Sequence, residues 1–341
     1  MDMEEDNRKL YPMKFIGLRD ETSWGSVDYL VADLGFKDSM VDNGWFGGNT
    51  LSELMGTYLE RVTGDDAFEY YGLQFPILVK VIETKDWQPL QVNVADQEAA
   101  ERYDSFGKTV LWYILEAGKG SGIRLGFRKD VEPAEFYRRC QEGKVEDILE
   151  TVHPSVGDSI LIKPGTVFAA GPGLRILEIS ECSELSFNLH GWGKETEGMM
   201  LEEAFDLIDY SASGEAGSGQ GVSGQAEAGG RRIMAKEPEF IVTSIDLADG
   251  LHIFSEHPGS FAIYFCERGE AIIQTPSDDG GQSRYPLKAG QCILVPSEVN
   301  DFFIFPAAQD TRLLEVLTEK RVVRDPYVPD EAPDPHIKVW N

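Results

Sequence analysis

Histidine and cysteine, the side chains that most often hold transition metals, are scarce here, at 5 and 4 of 341 residues. Cys140, Cys182, Cys266 and Cys292 lie far apart with no Cys-x-x-Cys pair, which argues against a disulfide framework and against a thiolate zinc site. No apolar run approaches the length of a membrane span, and the opening Met1-Asp2-Met3-Glu4-Glu5-Asp6 lacks the apolar stretch of a secretory signal. Cytoplasm is the expected compartment. Basic residues are few as well, 31 against 59 acidic, for a formal net charge of -28. Such a surface repels phosphate backbones and anionic lipid, so neither nucleic acid nor membrane is an expected partner. A small anionic ligand would need a local basic pocket.

Hydrophobic residues at 42% and aromatics at 11% are those of a globular chain, long enough for two or three compact units. Thr50 with Glu53 three residues on reads as a capping box, and Leu51, Leu54, Met55 and Leu59 share one helical face. Strand-like runs follow at 75–83, 88–94, 109–116 and 122–127, with Gly118-Lys119-Gly120-Ser121-Gly122 read as a hairpin turn. It lacks the spacing and following helix of a phosphate loop. Pro133 and the apolar spacing over 131–150 predict two short helices around Gly143, strands return at 159–163 and 174–180, and 201–208 reads as an acidic amphipathic helix. Residues 211–230 are almost wholly Ser, Gly, Ala, Gln and Glu, too polar to offset the entropy of ordering.

An internal repeat sets the fold. Val156-Gly157-Asp158-Ser159-Ile160-Leu161-Ile162-Lys163-Pro164 is echoed by Ala289-Gly290-Gln291-Cys292-Ile293-Leu294-Val295-Pro296, and Leu177-Glu178-Ile179 by Leu314-Glu315-Val316. A glycine turn, an apolar strand ending in proline and a second strand carrying Leu-Glu form the later half of a cupin barrel. The expected fold is mainly β: two tandem cupin (jelly-roll) barrels with a few helices. The expected division is an N-terminal cupin with helical insertions over 1–210, a flexible linker over 211–236 and a C-terminal cupin over 237–341.

Phe75-Pro76-Ile77-Leu78-Val79-Lys80, Gln91-Val92-Asn93-Val94, Gly107-Lys108-Thr109-Val110-Leu111-Trp112-Tyr113 and Pro164-Gly165-Thr166-Val167-Phe168-Ala169 follow one another in the order and spacing of a known family. They resemble the type I mannose-6-phosphate isomerases, and Thr22-Ser23-Trp24-Gly25-Ser26 is similar to that family's early Trp-Gly-Gly. The resemblance runs from about Tyr11 to about residue 320 and is strongest over 75–190. It implies two cupins, the first carrying a zinc held by a Gln, two His and a Glu. Gln91 matches the first ligand, but Asn93, Val110 and Phe168 stand where the other three belong. The family's catalytic Arg aligns with Asn188, and the Ser two residues before the Gln aligns with Pro89.

Lys80, Lys108 and Glu178 match family residues in or beside the substrate pocket. A lysine at a strand end is as readily a solvated cap, and Glu178 in an apolar strand is at least as readily a buried structural acceptor. The five histidines, His153, His190, His252, His257 and His336, show no cupin-like pairing that would rebuild a metal site. Three readings stand side by side. The first is a degenerate homologue, without zinc or other cofactor, that binds a carbohydrate or sugar phosphate. The second is an active aldose–ketose isomerase with altered ligands, and the third a structural or regulatory double cupin with no small ligand.

Overall fold

The computed structural model describes residues 8–193, 199–213, 230–255, 259–277 and 280–321. Four principal antiparallel sheets carry the chain, two in each half. In the first half a six-stranded sheet runs Ser159–Ile162, Val110–Ala117, Leu174–Glu181, Ile77–Thr84, Gly25–Val31, Leu18–Thr22. A five-stranded sheet runs Ser186–His190, Leu90–Asn93, Val167–Ala170, Ile123–Phe127, Leu149–Val152 and faces it across one core. The second half pairs a five-stranded with a four-stranded sheet in the same manner. The sheets of each half stay separate, so these are jelly-roll sandwiches rather than closed barrels.

The repeat read from the sequence holds in register. Ile160 and Ile162 lie opposite Trp112 and Val110, and Ile293 and Val295 lie opposite Tyr264 and Ala262. Gly157 and Gly290 both take left-handed backbone, φ 88° and 81°, which only glycine adopts without strain. No sheet runs through both segments.

The two sandwiches pack back to back. Alternation along each strand sends one set of side chains into its own sandwich and the other set outward. The outward set includes Val79, Val81, Leu111 and Leu177 from the first half, and Ile263, Phe265, Leu314 and Val316 from the second. These join Phe75 and Phe261, with rings 4.6 Å apart, in one apolar layer. The chain also crosses over: Met13 bonds Leu294 in the second half through both backbone groups.

Thr50 does cap a helix, Leu51–Tyr58, with its hydroxyl on the Glu53 amide and the Glu53 carboxylate on its own amide. Pro133–Gln141 is the helix that Pro133 predicts, followed by a 3-10 turn at Val145–Asp147. Three expectations fail. Residues 201–208 form turns, because Leu201, Ala204 and Ile208 can all reach the core behind the five-stranded sheet without a helix. Gly118–Gly122 is not a hairpin turn, since the strands on either side belong to opposite sheets and the segment crosses the sandwich edge. The tail of the expected linker is a strand, Arg231–Lys236, paired with Ile241–Asp246; most of the rest, 214–229, lies outside the described residues. Among the described residues no helix is long and apolar enough to cross a membrane.

Candidate functional site

Strand register assembles a polar cluster inside the first sandwich. Glu178 is opposite Lys80 on one neighbouring strand and opposite Trp112 on the other. Leu78, Ile82, Val110, Ile114 and Ile176, two residues away along these strands, belong to the inner core, so the polar side chains point inward too. On the facing sheet Phe168 pairs with Gln91, Gln91 with Asn188 and Asn93 with Ser186. Phe168 is part of the inner core, whereas Val92, Val167 and Phe187 pack on the opposite face. Lys108 enters from the loop before Val110 and reaches Glu178. The fold therefore brings Lys80, Gln91, Asn93, Lys108, Val110, Phe168, Glu178 and Asn188 together on the inside of one jelly roll.

Charge in this interior is nearly self-contained. Lys80 Nζ lies 2.9 Å from Glu178 Oε1 and 3.9 Å from Glu184 Oε1, while Lys108 Nζ lies 3.9 Å from the same Glu178 oxygen. Trp112 Nε1 donates to Glu178 Oε2 at 2.9 Å. Lys80 sits mid-strand, and both lysines are buried, at 7% and 3% exposure, so neither is a solvated strand-end cap. Burial disfavours every charge here, but the two lysines and the indole outweigh it at Glu178 and hold its carboxyl down at about 2. Burial likewise works against the Lys80 ammonium, yet Glu178 and Glu184 raise its pKa above the ordinary lysine value. Burial and then the neighbouring Lys80 lower that of Lys108.

The positions matching metal ligands offer a poor donor set. Zinc in proteins is held by four nitrogen, oxygen or sulfur atoms at about 2.0–2.3 Å. Gln91 Nε2 donates to Asn188 Oδ1 at 2.8 Å, and Asn93 Oδ1 accepts from Ser186 Oγ at 2.7 Å. These carboxamides are engaged with neighbouring side chains. Val110 and Phe168 have no donor atom, and Phe168 meets Trp112 edge to face at 5.4 Å, filling the space between the sheets. The residues present do not fit the family's zinc.

No histidine rebuilds a centre among the described residues. His190 accepts from the Trp192 amide at 3.1 Å through Nδ1, and His153 Nδ1 bonds the Ser121 carbonyl at 2.9 Å. His252 stacks on Phe303 with centroids 4.3 Å apart and bonds Asp301. His257 and His336 lie outside the described residues. Among the described residues one grouping of three carboxylates exists, Asp96, Glu181 and Glu239, but it encloses the Arg321 guanidinium.

Sequence reasoning missed Trp112 and Glu184 as partners of the cluster. Trp112 had a usable signal, since it is two residues beyond Val110 and shares its face. Glu184 follows the strand in a loop, and no periodicity places a loop side chain. Arg321 and its carboxylates are spread over positions 96 to 321, so no local pattern could join them.

No family model matches the chain. Curated relatives do. The mannose-6-phosphate isomerase of Streptococcus mutans is 22% identical over 273 residues, covering 77% of this chain and 80% of its own. The mannose-6-phosphate isomerase ManA of Bacillus subtilis is 25% identical over 270 residues, covering 77% and 81%. Among solved structures, the Bacillus subtilis mannose 6-phosphate isomerase matches with a TM-score of 0.75 at 20% identity, across 90% of this chain and 99% of that one. A variant of the Salmonella typhimurium phosphomannose isomerase matches with a TM-score of 0.72 at 15% identity, across 91% and 100%. The sequence relatives, along about three quarters of this chain, and the structural neighbours, along about nine tenths of it, are mannose-6-phosphate isomerases, and at this low identity they support the chain as a divergent member of that family.

Proposed function

We propose that this protein is a non-catalytic mannose-6-phosphate isomerase homologue: its first jelly roll neither binds zinc nor isomerises sugar phosphates, and the protein serves in carbohydrate binding. Aldose–ketose isomerisation needs a cation to polarise neighbouring carbonyl and hydroxyl oxygens and a base to shuttle the proton between their carbons. The observation that carries the reading is the hydrogen bond from Gln91 to Asn188. It joins the one matching ligand position to the position of the family's catalytic Arg, where a neutral carboxamide bonded to its neighbour stands in place of a cation.

Two further features support it. Phe168, at a position that the resemblance gives to a metal ligand, packs its ring edge to face on Trp112 instead. Lys80 and Lys108, which the resemblance places at the sugar-phosphate pocket, spend their charge on Glu178 and leave little for an anion. The acidic surface keeps nucleic acid and anionic membranes off the list of partners.

Elemental analysis after exhaustive dialysis against zinc-containing and then zinc-free buffer tests the metal half of the reading. The expected result is no stoichiometric zinc. One zinc per chain, lost on Gln91→Ala, would overturn it and bring forward an active isomerase with altered ligands.

A further inference from the structure

The second jelly roll repeats the interior of the first, position for position. Glu315 is opposite Tyr264 and Thr243, as Glu178 is opposite Trp112 and Lys80. Phe302 pairs with Ile253 where Phe168 pairs with Gln91. Val295 pairs with Ala262 where Ile162 pairs with Val110. What differs is bulk. Ala262 replaces Val110 and Tyr264 replaces Trp112, and here the interior holds a cavity of about 300 Å³.

Glu315 and Tyr264, buried at 4% and 1% exposure, are among its lining residues. Tyr264 donates to Glu315 Oε1 at 2.9 Å and Arg231 pairs with Oε2, so the carboxylate is compensated while each oxygen keeps a lone pair for another donor. Ala262, Val295, Phe302 and Leu317 form apolar walls, and Ser255, Ser297 and Asn300 bring hydroxyl and carboxamide groups. Of the two other charged residues among the described lining, Lys320 pairs with Asp66 at 2.7 Å. The charges thus balance, and the size falls at the lower end of small-molecule sites, which run from about 300 Å³ upward.

We infer that this cavity is a binding site for a small neutral polyol, of the size of a single hexose. Its C–H faces pack against Phe302 and the aliphatic walls, and its hydroxyls donate to Glu315 and exchange hydrogen bonds with Ser297 and Asn300. A phosphorylated sugar is disfavoured, because the buried group it would meet is a carboxylate and the nearby cations are already paired. The site is separate from the Gln91 cluster and stands whether or not that cluster binds zinc.

The test is ligand-observed NMR and calorimetry on the full chain with D-mannose and mannose 6-phosphate as probes. D-mannose is expected to bind in the millimolar range or tighter, and the phosphate at least tenfold more weakly. Ala262→Phe, which fills the cavity, and Val299→Trp, which narrows it from the lining, should each cost tenfold or more in affinity. Two filling variants are used so that a folded one is in hand, as judged by an unchanged far-UV spectrum and melting temperature. Gln91→Ala, in the first jelly roll, should leave binding unchanged. Absence of D-mannose binding, undiminished binding in a folded filling variant, or preference for the phosphate would overturn the inference. Loss on Gln91→Ala alone would move the ligand to the first jelly roll.

Discussion

Glu178→Ala is expected to lower stability by about 3–5 kcal/mol, the usual cost of breaking a buried ion pair from one side. The residue is 4% exposed and, among the described residues, is the only carboxylate within ion-pairing distance of Lys108, while Lys80 keeps only Glu184, at 3.9 Å. Its removal strands two ammonium groups beside each other and leaves the buried Trp112 indole N–H without its acceptor. A shift of the denaturant midpoint measures the loss, and a change under about 1 kcal/mol would show the cluster to be a weak contributor. The pH dependence has a definite sign. With its carboxyl held at about 2 against an ordinary 4.5, Glu178 binds fewer protons folded than unfolded between those values. Its contribution, about 3 kcal/mol at roughly 1.4 kcal/mol per unit, is present above the ordinary value and disappears as pH falls through 2. Glu178→Gln should flatten this acid limb, and an unchanged limb would assign it to other carboxylates.

Arg321→Ala should cost a comparable amount, and more at high pH than at low. The guanidinium lies 4.2 Å over the Tyr70 ring, 2.7 Å from Glu181 Oε1 and 3.7 Å from Glu239, with Asp96 also paired. It ties the end of the second jelly roll to the first, and Glu181 beneath it is 1% exposed. Burial, then repulsion by Asp96, pushes the Glu181 carboxyl up to about 8 even beside the arginine. A raised carboxyl contributes stability at low pH that is lost as pH rises through the folded value. Without Arg321 the folded value climbs further. Near pH 6 Glu181 keeps its proton with or without the arginine, which limits the damage, whereas at about pH 9 the variant must either hold that proton against the solution or bury an uncompensated carboxylate, at up to about 3–5 kcal/mol. Melting temperatures across that range check this; an equal loss at both ends would mean that Glu181 is not the group left exposed to the deficit.

The sequence made the fold legible because jelly rolls write their repeat locally. Gly157 and Gly290 mark turns that need left-handed backbone, and the strand after each alternates inward and outward residues. Gln91, Asn93, Val110, Phe168 and Asn188 are set at one site by the family resemblance rather than by local pattern, and local pattern had limits of its own. It failed at 201–208, where apolar spacing satisfied by a helix is equally satisfied by successive turns over a sheet. It also failed for Lys80, whose place in mid-strand and whose burial follow from a partner 98 positions later. Composition argued for bringing basic charge to an anionic ligand, and only the register with Glu178 reveals that the charge is already matched. The second pocket was invisible for a related reason: Ala262 and Tyr264 read as ordinary strand residues until laid beside Val110 and Trp112.

Turnover of mannose 6-phosphate to fructose 6-phosphate, followed by a coupled assay with zinc supplied and then chelated, addresses the central claim most directly. Losing a single donor that stabilises the transition state commonly costs about a hundredfold or more, and here three of the four metal-ligand positions and the catalytic Arg position are replaced. The expected rate is at background with zinc and without it. Robust turnover that chelator abolishes and zinc restores would contradict the account.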